Sequence, residues 1–61
     1  MANISTKELS AIEDQLSMEQ TLVKRYTALS NHCTDNVLKE KCREFANKHA
    51  THYNTLLSYL K

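Results

Sequence analysis

The sequence predicts an all-α fold, an antiparallel two-helix hairpin that must pair with a second copy to complete a four-helix bundle. Three observations carry this. The 61 residues include no Gly and no Pro, which removes the residues that tight turns between strands depend on. Apolar residues recur at helical spacing in two long runs. Between them lies one polar break, "SNHCTDNV", whose side chains compete with the backbone for hydrogen bonds. A hydrophobic content of 41% is too high for a disordered chain, and 25% charged residues is ordinary. One domain over residues 1–61 accommodates everything.

The first helix, expected over about residues 6–31, announces its start. Ser5 followed by Glu8 fits a capping box, and Ile4 and Leu9 stand where a hydrophobic staple would place them. Leu9, Ile12, Leu16, Val23 and Tyr26 then form a stripe, flanked by Leu22 and Leu29. Between Leu16 and Val23 the next seam position belongs to Glu19, a charged residue at a core address. The turn, about residues 32–35, offers Thr34 or Asp35 as the cap of the second helix, and Asp35 also suits the helix dipole there. His32 and Cys33 read as exposed loop residues. The second helix, about residues 35–60, carries Leu38, Cys42, Phe45, His49, His52, Leu56 and Tyr59 or Leu60, broadened by Ala46, Tyr53 and Leu57.

A short turn makes the helices antiparallel neighbours. Counting outward from it, residues whose numbers sum to roughly 67 share a level in such a hairpin. Glu19 then faces Lys48 and His49, with His52 one turn along. Three polar groups on apolar stripes therefore converge. A hairpin alone leaves much of each stripe wet, and a 7.0 kDa chain has no disulfide scaffold to compensate. Surface scaling assigns roughly 1,400 Å² of burial to the union of two compact chains of this size. A homodimer is the natural solution, because a two-fold axis lets one stripe complement itself, and a hetero-bundle or larger array is the alternative.

The converging groups have two readings. In the first, Glu19, His49 and His52 are transition-metal ligands: His at i and i+3 project from one face, and a carboxylate from the facing helix adds an oxygen donor. In the second, no metal is involved, and a buried Glu19 is hydrogen-bonded to His49 or reached by Lys48. A buried carboxylate without any partner would cost several kcal/mol, so both readings require one. The metal reading is preferred, because His-x-x-His level with a seam Glu is more specific than either feature alone. Tyr26 and Tyr53, also near this level, read as packing residues with their hydroxyls at the edge.

Other chemistries find little support. The net charge is +1 with scattered basic residues, unlike a nucleic-acid-binding stripe. No apolar run approaches a membrane span, and "MANISTKELS" lacks a signal-peptide pattern, so synthesis in the cytoplasm is expected. No Ser/His/Asp or Cys/His arrangement suggests hydrolysis. Cys33 and Cys42 lack metal or redox spacing, and their offset along the helix argues against an intrachain bridge. Oxidation would join different molecules through Cys33, expected to be the more exposed of the two.

The stretches "EDQLSMEQ", "CTD" and "KHATHYNTLL" give nearly the whole chain a further aspect. It resembles the small spore-coat (coat F-like) proteins of endospore-forming bacteria, which look in turn like half of a ferritin-like bundle. The resemblance implies a structural assembly protein deposited in the spore coat, a homodimeric ferritin-like four-helix bundle, and other coat proteins as partners. It also implies metal positions. Glu19 matches the first-helix Glu of the ferritin-like pattern and His52 its His, while His49 stands where the pattern has Glu. An imidazole-rich set suits zinc, copper, nickel or cobalt better than a carboxylate-bridged iron pair. A metal-dependent redox or storage protein using the same residues is the alternative function, and a packing module without metal is the third.

Overall fold

The computed structural model describes residues 4–60; of the domain expected over 1–61, residues 1–3 and 61 lie outside the described residues. Helix α1 spans Thr6–His32 and helix α2 spans Asn36–Ser58, and the two pack against each other as a hairpin. At the start of α1 the Ser5 hydroxyl accepts from the Glu8 N–H at 3.1 Å, while the Ser5 N–H donates to the Glu8 carboxylate at 3.2 Å. Both arms of the capping box are therefore made. Asp35, not Thr34, caps α2, its carboxylate accepting from the Leu38 N–H at 2.9 Å. The α2 ladder ends at Ser58, and Tyr59 and Leu60 form a turn that closes on the carbonyls of Leu56 and Leu57.

The break between the helices is shorter than the polar run suggests. Ser30 and Asn31 remain helical, and only Cys33–Asp35 leave the helix. The Ser30 hydroxyl donates to the Thr27 carbonyl at 2.8 Å, so its competition with the backbone is met inside the helix without ending it. Cys33 (φ −79°, ψ 132°) and Asp35 (φ −80°, ψ 121°) are extended. Among the described residues none has positive φ. The chain reverses without a left-handed residue, which is how it manages without glycine.

Little of the hairpin is buried. Among the described residues, Cys42 and Ala46 are the buried apolar side chains, and Glu19 and Ser30 the buried polar ones. Small groups sit where the helices approach, and the large ones are pushed to the flanks. Phe45 and Leu38, read from the sequence as seam residues, are 42% and 49% exposed. The body measures 46 × 15 × 11 Å with a radius of gyration of 14.3 Å, against about 10.5 Å for a compact domain of this length. Its accessible surface is 4827 Å², where a compact 7 kDa chain would have roughly 4,000 Å².

At 100° per residue, Met18, Leu22 and Leu29 lie on one flank of α1, and Leu38, Phe45 and Tyr59 on the flank of α2 facing the same way. Gln15, Glu19, His52, Thr55 and Leu56 line one cleft on that side, which fixes the correspondence. The opposite side is mostly polar, with Glu13, Gln20, Arg43, Asn47 and Asn54. Leu16 and Val23 are half-buried beneath it. Both cysteines are free: Cys42 is buried within α2, and Cys33 is half-buried at the turn. No helix among the described residues is long and apolar enough to cross a membrane.

The cap at Asp35 starts α2 just after the chain reverses, so its loss should be felt by the whole hairpin. Asp35→Ala is expected to cost about 1 kcal/mol, measured by urea unfolding, whereas Thr34→Ala should stay within about 0.5 kcal/mol.

Candidate metal centre

Glu19 has thirteen residues of α1 on either side of it, so its carboxylate enters the hairpin at the midpoint of the helix. Its side chain is 6% exposed. A charge withdrawn from water requires partners, and α2 provides them. His49 Nδ1 lies 2.5 Å from Glu19 Oε1. His52 Nδ1 lies 3.4 Å from Oε2, which also accepts from the Gln15 amide at 3.4 Å. Among the described residues, no buried side-chain polar atom is without a partner.

The antiparallel register thus brings the three expected residues together: Glu19, His49 and His52 offer ligand atoms that all lie within 4.8 Å of one another. This cluster is positioned to coordinate a transition-metal ion. Lys48, weighed as a partner of Glu19, is exposed and takes no part. It stands on the solvent side of α2, while the neighbouring position, His49, faces α1. His32 is exposed near the turn, away from the cluster.

The three groups are graded in exposure. Glu19 is buried, the His49 side chain is 23% exposed and that of His52 57%. The short contact to His49 holds the Glu19 carboxyl below its ordinary 4.5; burial opposes this, and the Gln15 amide and the charges of His49 and His52 assist. The carboxylate is therefore ionised at neutral pH and can only accept, so the proton in the short contact sits on His49 Nδ1. Nε2 points away from Glu19, so an ion shared with this carboxylate is reached by Nδ1 once the ion displaces its proton. Oε2, held only at 3.4 Å by two groups, is the oxygen free to ligate.

One further residue belongs to the site, although its sequence context reads as packing. The Tyr26 ring stacks on that of His49, with centroids 5.7 Å apart and planes 5° from parallel, and its other neighbour is Phe45 at 5.3 Å. The His49 ring is thus fixed in its plane by Glu19 and across its face by Tyr26. His52 meets the edge of His49 at 83°. Among the described residues, Tyr53 is half-buried and makes no ring contact with either histidine. The spacing of Tyr26 from Glu19, two helical turns, is the available signal, but a Tyr at such a position is ordinarily packing.

A tetrahedral ion with bonds of about 2.0–2.1 Å sets its ligand atoms roughly 3.3 Å apart. The 3.4 Å between His52 and Glu19 Oε2 fits that spacing. One carboxylate and two imidazoles form a borderline donor set suited to zinc, copper, nickel or cobalt. No family model, curated protein or solved structure matches the chain.

The lowered Glu19 value carries a sign. Folding favours the ionised form, so the contact stabilises the protein above pH 4.5, the ordinary value, and the benefit is lost as pH falls below it. In metal-free protein, the stability gap between wild type and Glu19→Gln should shrink as pH falls below that value. Urea unfolding of both proteins across an acid series checks this; parallel profiles would contradict it.

Proposed function

We propose that the chain is a metal-binding assembly protein: a helical hairpin that pairs through its apolar side into a four-helix bundle and holds a transition metal at Glu19, His49 and His52. The observation that carries the reading is the cluster itself, three donors from two helices converging within 4.8 Å around a buried carboxylate. A packing module would serve better with an apolar residue at position 19, since replacing buried ionic groups by apolar ones is often neutral or stabilising.

The dimer is supported by the surface left uncovered. Twice the 4827 Å² of one hairpin, set against roughly 6,700 Å² for a compact body of twice the mass, leaves roughly 3,000 Å² to bury. This lies in the range of obligate homodimers. Met18, Leu29, Leu38, Phe45 and Tyr59, each between 42% and 58% exposed, supply the apolar contact area. A ferritin-like bundle is the arrangement two such hairpins reach by packing face to face. The setting of such a protein in a spore coat, among other coat proteins, rests on the residue resemblance of "EDQLSMEQ" and "KHATHYNTLL" alone. Within that setting the metal stabilises an assembly, and no catalytic group is assigned.

Zinc, binding only the folded protein, should raise its melting temperature by about 10 °C or more at a hundredfold excess over the dissociation constant. Binding competes with protons at the imidazoles, so the gain should diminish on acidification. His49→Ala and His52→Ala should each abolish the gain, and His32→Ala should preserve it. Melting unchanged by saturating zinc, copper, nickel, cobalt and iron would refute the metal reading.

Sedimentation should find a dimer at micromolar concentration, with Met18→Glu or Leu38→Glu shifting it toward monomer. A stable helical species of 7.0 kDa in the wild type would refute the assembly.

A further inference from the structure

The metal cluster opens on the same side of the hairpin as its uncovered apolar surface. His52, more than half exposed, lines the cleft there with Gln15, Glu19, Thr55 and Leu56. Met18 and Leu22 of α1 and Phe45 of α2 flank this cleft, Leu29 and Leu38 continue the apolar side toward the turn, and Tyr59 lies toward the other end. A second copy is the occupant this surface fits. The roughly 3,000 Å² that two hairpins would bury on forming one compact body matches an obligate interface, and a two-fold axis lets one side complement itself.

Face-to-face packing puts that axis in the interface plane, either along the helices or across them. An axis along the helices leaves every level opposite itself. An axis across them exchanges the two ends and leaves only the middle opposite itself. Glu19 is the central residue of α1, so both arrangements bring the two clusters together. Helices packed across the interface lie about 8–10 Å apart, a gap that two imidazole arms with an ion between them can bridge.

Charge then decides the number of ions. The paired clusters hold two carboxylates, one Glu19 from each chain, and four imidazoles. One divalent cation is balanced by these two charges. Two such cations at close range would leave an uncompensated double charge inside an apolar bundle, at heavy desolvation cost. We propose that the two chains share a single divalent transition-metal ion on the two-fold axis, taking His52 from each chain as the ligands that meet across the interface. Metal binding and dimerisation are then one coupled equilibrium, and each strengthens the other by the same factor. This rests on the metal and dimer reading above.

The test uses the full chain and zinc. Zinc affinity and stoichiometry are measured by competition with a chromophoric chelator, and the dimer dissociation constant by sedimentation with and without zinc. The proposal expects one zinc per two chains and a dimer tightened at least about tenfold by zinc. It also expects His52→Ala to lose the tightening, read as the ratio of its own dimer constants with and without zinc. His52 is exposed, so the variant should fold, and helicity measured alongside confirms it. Zinc bound at one ion per chain, or a dimer constant indifferent to zinc, would overturn the shared ion while leaving the metal reading intact. No competition for zinc at all would overturn both.

Discussion

The hydrogen bond between the buried Glu19 carboxylate and His49 Nδ1 is the constraint on which the rest of this structure depends. A carboxylate at 6% exposure in the middle of α1 has surrendered most of its water, and only groups on α2 can replace it. His49 does so at 2.5 Å, with His52 held more loosely and Gln15 assisting from α1 itself. The pairing ties the two helices together at their centre. It also holds the His49 ring, whose Nδ1 donates to the carboxylate. Tyr26, stacked on the same ring, removes its remaining rotational freedom. A polar interaction that orders two helices thereby also sets His49 beside the carboxylate with which it would share an ion.

The same interaction explains why the hairpin has so small a core. Giving the central level to Glu and His removes the place where large apolar side chains would interlock. Toward the turn the helices close on Ser30, Cys42 and Ala46, groups too small to fill much volume. The bulk of the apolar surface is displaced onto one side, where Met18, Leu29, Leu38, Phe45 and Tyr59 remain partly wet. In the proposed dimer a second chain would cover what the single chain leaves wet, around a central level whose carboxylate and imidazoles are placed to coordinate a cation.

Much of this is legible in the sequence. Ser5 and Glu8 define the start of α1 because a capping box is local chemistry, complete within four residues. The meeting of Glu19 with His49 and His52 follows from counting outward from a short turn, which needs only antiparallel geometry. Less legible are features set by the side chain's direction within its level. Ser30 reads as a helix breaker, but its hydroxyl bonds the Thr27 carbonyl and stays helical. Lys48 shares the level of Glu19, and helical phase turns it to solvent while His49 faces inward. Phe45 and Leu38 share the stripe with Cys42, yet the helix presents the small residue to its neighbour and the large ones to the flank. Stripes identify which residues avoid water, but not whether the same chain or another one shelters them.

The central claim is that the carboxylate and imidazoles brought together at the middle of the hairpin form a metal centre. X-ray absorption at the zinc edge, on protein loaded with one zinc per two chains, tests it most directly. The expected result is a nitrogen and oxygen shell at about 2.0–2.1 Å, with the multiple-scattering signature of at least two imidazole rings and no sulfur. A shell dominated by sulfur at about 2.3 Å, or an oxygen-only shell without imidazole scattering, would contradict it.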